Sequence, residues 1–468
     1  MSTTQTPTDS PTDSPEGTTP TTRGRLGGRW IDRWEPEDAA FWQRTGRRVA
    51  TRNLLVSVFA EHLAFSVWLV WSVTVVALPA AGFAFSVDQL FWLVALPSLV
   101  GSILRLPYTF AVPRFGGRNW TVVSALLLLV PTVAMTLAVS DPATPYWVFL
   151  LVAAAAGFGG GNFASSMTNI SFFFPERTKG LGLGLNAAGG NLGTSTVQFL
   201  VPVVLAAGAG TLAYAGLMWV PLIVVSAVLA WFCMDNLTVS KAPIRGQLAA
   251  AKRPHTWVMS LLYIGTFGSF IGYSAAYPLL AKTVFPDSGA TKYAFLGALV
   301  GSLVRPVGGW LADRWGGARV TCAVFAAMVA GMAVLLAAVN SGSLGLFVTA
   351  FAVLFVASGV GNGSTYRMVP AIFARQGERD ERAGVAGARR AALTEAGAAV
   401  GIISAVGAFG GFLIPRAYGA SLGATGSVAT AVLAYAAFYA LCLGVTWWCY
   451  LRRQLLVARM PSLAEAAV

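Results

Sequence analysis

Runs of about twenty apolar residues follow one another along almost all of this 468-residue chain, and they leave few folds open. A helix rises 1.5 Å per residue, so each run spans the roughly 30 Å hydrocarbon core of a bilayer. In that medium every backbone N–H and C=O must be satisfied within the segment, which selects the helix. The runs and their polar breaks predict helices over 52–79, 87–112, 118–139, 146–174, 180–206, 211–234, 257–283, 293–313, 318–340, 344–373, 392–415 and 424–451. Only 11% of the residues are charged and 56% are hydrophobic. A soluble domain carries about 25% charged residues, so a water-exposed surface of ordinary size is excluded. The fold class is an all-α membrane protein with twelve transmembrane helices, its partner the lipid bilayer.

The chain holds 51 glycines, which would weaken soluble helices but let membrane helices approach closely. Cys233, Cys322, Cys442 and Cys449 lie in apolar runs without ligand-like spacing and behave as small hydrophobes. His62 and His255 are too few and too far apart to hold a metal. No metal, cofactor or enzymatic constellation is expected.

A net charge of +13 would suggest nucleic acid in a soluble protein, but here basic loops account for it and no nucleic-acid partner is expected. Of 32 Lys and Arg, 26 fall in the terminal segments and the loops after predicted helices 2, 4, 6, 8 and 10. Lys282, Lys292 and Arg416 mark the opposite side, and Arg105, Arg305 and Arg367 fall within spans. The positive-inside rule then places both termini in the cytoplasm of a multi-pass cell-membrane protein.

The expected organisation is a cytoplasmic, largely disordered segment at 1–50, six-helix bundles at 51–235 and 257–452, a linker at 236–256 and a tail at 453–468. Residues 1–28 are rich in Thr, Ser, Pro, Asp and Gly and lack the apolar core of a cleaved signal peptide. The two bundles are related by an internal repeat. GSILRLPYTFAVPRFGGRNWT from Gly101 matches GSLVRPVGGWLADRWGGARVT from Gly301, with Gly101, Ser102, Arg105, Arg114, Gly116 and Gly117 recurring 200 residues later. Two six-helix halves joined by a polar linker are the layout of a major facilitator fold. The run from Gly309 to Arg319, with Asp313, Arg314 and Arg319, looks like that superfamily's gating loop; the first copy has Pro113 in place of Asp313.

Arg105 and Arg305 are about ten residues from the nearest basic loop, roughly 15 Å deep and too far for easy snorkelling. A guanidinium at mid-bilayer costs about 3 kcal/mol or more and marks function. Acids within the spans are scarce, with Glu61 and Glu395 the candidates, so the pocket is net positive. A planar guanidinium with paired donors suits a small planar oxyanion such as nitrate, nitrite or a carboxylate. Asn162, Asn169, Asn186 and Asn191 lie in the glycine-rich fourth and fifth helices, and a buried amide needs partners that a substrate oxygen can supply. Glu61 and Arg367 are candidates for coupling, with a Glu395–Arg367 pair or a third positive charge in the cavity as alternatives for Arg367.

Over residues 50–450 the chain resembles the NarK-type nitrate/nitrite porters of the major facilitator superfamily. The resemblance is carried by NFASSMTNISFFFP, GLGLNAAGGNLG, LVALPSLVGSILRLPYTFAVPRFGGR and YIGTFGSFIGYSAAYPLLAKTVFPD. It implies that Arg105 and Arg305 grip the anion, Phe163 and Tyr366 sandwich it, and Tyr263 donates a hydroxyl. Asn191 and Asn186 lie in the first glycine-rich signature with Gly184, Gly189, Gly190 and Gly193; Gly407, Gly410 and Gly411 mark the second. These glycine faces are expected to slide as a carrier of nitrate and nitrite alternates its access. Exchange of nitrate for nitrite is the expected activity, with proton-coupled symport through Glu61, or a nitrate-responsive receptor, as alternatives. A monomeric antiporter of the inner membrane, serving nitrate assimilation, completes the expectation.

Overall fold

The computed structural model describes residues 22–23, 29–240 and 249–452, and twelve of its helices are long and apolar enough to cross a membrane. In the first half these are α1 Ala39–Ala77, α2 Val87–Phe115, α3 Gly117–Ser140, α4 Tyr146–Phe173, α5 Glu176–Ala207 and α6 Tyr214–Cys233. The second half has α7 Pro254–Val284, α8 Ala290–Trp315, α9 Gly317–Ser341, α10 Leu344–Arg382, α11 Glu395–Thr425 and α12 Ala429–Leu451. Every predicted span has its helix. An even number of crossings puts the two described ends on one side, here the terminal end, opposite a far end.

Three helices overrun their predicted limits for identifiable reasons. Asp38 caps α1, its carboxylate accepting from the backbone N–H of Ala40 and Phe41, so the helix starts well before its apolar stretch. α10 continues to Arg382 through a charged segment that carries an Arg375–Glu378 pair at 3.1 Å. α11 passes through Pro415 and ends at Gly426, whose φ of +67° forms a left-handed cap. Proline is tolerated within membrane helices, which is why it fails as a stop signal there.

The repeat is visible in the backbone. α2 and α8 both end on a glycine in the left-handed half of φ space, Gly116 at +87° and Gly316 at +89°. A side chain there would be strained, and a Cβ at Gly116 would also lie 2.3 Å from Asn236 Oδ1.

The expectation for residues 1–50 needs correction where they are described. Strand β2 (Trp30–Ile31) pairs antiparallel with β1 (Thr22–Arg23) and parallel with β3 (Asn236–Leu237), tying this segment to the linker. Ile31, Trp34, Trp42 and Ala50 pack with Phe173 and Leu237 in one apolar cluster, and Trp34 Nε1 donates to Phe172 O at 3.0 Å. The tryptophans supply the burial that orders a segment too polar to enter the bilayer. Arg52 and Asn53 both bind the Asp235 carboxylate, fastening α1 to the start of the linker. Residues 241–248 of the linker, including Lys241 and Arg245, and the tail at 453–468 lie outside the described residues.

Contacts joining the halves run from the far end down to the arginines. Arg416 on α11 pairs with Asp88 on α2 at 2.9 Å and stacks on Trp92, whose ring is 5.9 Å from Phe412. Gln198 on α5 donates to Ser274 O on α7 at 2.5 Å, and Ser302 on α8 to Asn191 O on α5 at 3.1 Å.

Candidate functional site

Five helices converge on Arg105. Its side chain is fully buried; Nε donates to Gly160 O on α4 at 3.1 Å, and Nη1 donates across the halves to Ser404 O on α11 at 2.8 Å. The guanidinium carbon lies 4.7 Å from the Phe163 ring centroid, 4.9 Å from Phe267 and 5.5 Å from Trp68. Arg305 is buried at 8% exposure and lies 5.5 Å from the Tyr366 ring centroid. Arg105 Nη2 and Arg305 Nη1 are buried donors with no hydrogen-bond partner among the described residues. Neither arginine has a carboxylate partner among them, so the site keeps its positive charge.

Asn191 is the amide best placed to serve a ligand. It is fully buried, and neither Oδ1 nor Nδ2 has a partner among the described residues. Its backbone oxygen receives the Ser302 hydroxyl, three residues from Arg305 on α8. An unpaired buried amide costs about 1–3 kcal/mol, so its retention asks for an oxygen to bind.

The aromatic pair differs from expectation. The ring that faces Phe163 is Phe267, with centroids 6.0 Å apart and planes within 25°, while Tyr366 accompanies Arg305. Phe267 lies in a stretch of α7 where the helix loosens to a π turn, Ile264–Gly268, a device common at functional sites. A lone phenylalanine in an apolar run has no signal to separate it from core packing; the glycines on either side, Gly265 and Gly268, were the one available hint. Tyr263 stacks on Phe267 at 5.2 Å and donates its hydroxyl to Asn362 Oδ1 at 2.9 Å.

Asn186 belongs to a neighbouring cluster. Its Nδ2 donates to Glu61 at 2.8 Å and to the Ser166 hydroxyl, which also binds Glu61. Glu61 is fully buried and uses Oε2 for both bonds, which join α1, α4 and α5. Asn162 accepts from Ser124 at 3.0 Å and so serves the fold; Asn169 packs against Gly117, with its Nδ2 buried and without a partner among the described residues.

Arg367 requires a second correction. Its Nε binds Asp313 at 2.5 Å and both side chains are more than half exposed, while Glu395 pairs with Arg253 at 2.8 Å. Consecutive helical residues point about 100° apart, so Tyr366 reaches Arg305 while Arg367 turns to Asp313 in the last turn of α8. On the same helix Arg314 stacks on Trp310 at 5.6 Å. Arg319 is exposed and has no ion pair among the described residues.

The signature glycines divide by what they touch. A Cβ at Gly193 would lie 2.2 Å from His62 O, and Gly189 and Gly190 abut Val58 and Glu61, all on α1 of the same half. Those faces pack against α1 within the first half and not against the second half. Of the α11 signature glycines, Gly407 abuts Tyr263 and Gly410 abuts Gly268 on α7, while Gly411 also meets the other half, at Ser98 of α2. Gly184 has nothing within 4 Å.

Comparison with known proteins matches this arrangement. The profile of the Major Facilitator Superfamily matches residues 63–415. The nitrate/nitrite transporter NarU of Salmonella typhimurium is 45% identical over 451 residues, covering 91% of this chain and 96% of that one. A Thermus thermophilus protein, named as a probable nitrate/nitrite antiporter NarK2, is 38% identical over 91% of this chain and 97% of its own length. Among solved structures a D-xylose–proton symporter superposes with a TM-score of 0.65 at 16% identity, covering 85% of this chain and 97% of that one. That last likeness concerns the fold alone.

Proposed function

Because the chain belongs to the major facilitator superfamily, among its nitrate/nitrite transporters, we propose that it exchanges nitrate for nitrite by alternating access, with Arg105 and Arg305 as the anion clamp. The observation that carries this reading is the pair of buried guanidinium N–H donors without partners among the described residues, one from each half. Asn191, between them in function, offers both a donor and an acceptor. Phe163 and Phe267 are the aromatic walls. A planar guest between two rings needs about 7 Å, at ~3.5 Å per contact, so the 6.0 Å pair opens by about 1 Å to admit it. Tyr366 backs Arg305, and Tyr263 positions Phe267.

Exchange follows from the charge. Closing the halves around two facing guanidiniums buries like charge at several kcal/mol per ion. One anion relieves that cost, so each stroke carries a passenger. Glu61 is engaged by Ser166 and Asn186 through Oε2, and proton symport through this acid is the alternative that an imposed proton gradient separates from exchange. With 26 basic residues on the terminal side, that side is cytoplasmic, and the Arg416–Asp88 contact belongs to the external gate.

Counterflow tests the reading. Proteoliposomes loaded with nitrite accumulate labelled nitrate through the wild-type chain, and Arg305→Lys slows this accumulation by roughly 10–100-fold while the protein stays folded. Undiminished counterflow in Arg305→Lys rejects the clamp.

A further inference from the structure

Between α8, α9 and α10 the bilayer-facing surface carries a groove of about 610 Å³, within the size range of ligand pockets. Its walls include Trp315, Val320, Ala323, Ala327, Val353 and Val356, and its single charged lining residue is Arg319. Arg319 is in the first turn of α9 at the terminal end, and Ala327 is eight residues on, about 12 Å deeper along the helix.

The repeat supplies a control within the same chain. Two hundred residues earlier, Trp120 stands where the second half has Val320, Val123 where it has Ala323, and Leu127 where it has Ala327. Trp120 fills that region by stacking on Phe115 at 5.8 Å and meeting Tyr108 edge-on at 4.9 Å. The residue matching Arg319 is Asn119, neutral and bonded to Phe115 O at 3.1 Å. The open groove and its unpaired cation are therefore features of the second half.

We propose that this groove binds an anionic phospholipid of the leaflet at the terminal end, one acyl chain lying between α9 and α10 and the phosphate on Arg319. The small residues along α9 leave room for a chain, and Trp315 occupies the interfacial level where indoles are favoured. A long guanidinium stem reaches headgroups readily, and one basic residue near such a surface gives about fivefold preference for negative charge.

Native mass spectrometry on the purified, delipidated full chain decides the matter, using phosphatidylglycerol and phosphatidylcholine with identical acyl chains. The expected result is one retained lipid, with phosphatidylglycerol held about fivefold more tightly. Arg319→Asn equalises the two lipids. Ala323→Trp lowers retention of both, and Ala327→Leu, which installs the first half's own residue, does so if the tryptophan variant misfolds. Equal retention of both lipids by the wild type overturns the proposal. So does a phosphatidylglycerol preference that survives Arg319→Asn, retention unaffected by the filling variants, or a second copy of the chain in the groove in place of lipid.

Discussion

Arg105 and Arg305 occupy equivalent places in the repeat, yet the structure holds them differently. Arg105 is anchored by two carbonyls, one from each half, and surrounded by three rings. Arg305 has the Tyr366 ring beside it and a buried Nη1 with no partner among the described residues. The contrast separates two jobs that a symmetric sequence pattern merges. The first arginine also joins the halves through Ser404, whereas the second keeps a donor available for the proposed anion.

The largest expected effect tests that contrast directly. A charged hydrogen bond contributes about 1.5–3 kcal/mol, so replacing either arginine with lysine slows exchange by roughly 10–100-fold. Arg105→Lys also lowers the melting temperature, because at least one buried carbonyl loses its donor; Arg305→Lys leaves it unchanged. Equal melting shifts in the two variants erase the distinction drawn here.

The next effect concerns the rings. Phe267→Ala weakens nitrate binding about tenfold if Phe163 and Phe267 are the walls, while Tyr366→Ala weakens it less. Binding measurements in detergent check both, and the reverse order of effects restores Tyr366 as the partner of Phe163.

The glycines give a smaller and purely structural contrast. Gly193→Ala drives a Cβ into the His62 carbonyl and costs about 1–3 kcal/mol, whereas Gly184→Ala, facing open space, gains up to about 1 kcal/mol of helix propensity. Thermal unfolding of the two variants in opposite directions is the expected outcome. Smallest of all is Asp313→Asn: an exposed pair contributes no more than about 1 kcal/mol, so stability hardly moves.

Much of this was legible in the sequence, for physical reasons. A membrane span is a long uniform signal, and a buried arginine in an apolar run is rare enough to stand out; two in repeated contexts point to the candidate site. The residues that escaped carry no such contrast. Phe267 is one aromatic among many, and only its position facing Phe163 makes it the proposed wall. Arg367 adjoins a site residue in sequence, but one helical step rotates it out to Asp313. The glycines of α5 announce close packing without saying against which helix, and their partner proved to be α1. The segment before α1 looked too polar to fold because its tryptophans find their cluster only through the linker and the end of α4.

The most direct test of the central claim is nitrate uptake by proteoliposomes under an imposed inward proton gradient, with and without nitrite inside. Exchange through an arginine clamp predicts uptake only into nitrite-loaded vesicles, at a rate the gradient does not change. Robust gradient-driven uptake into anion-free vesicles contradicts it.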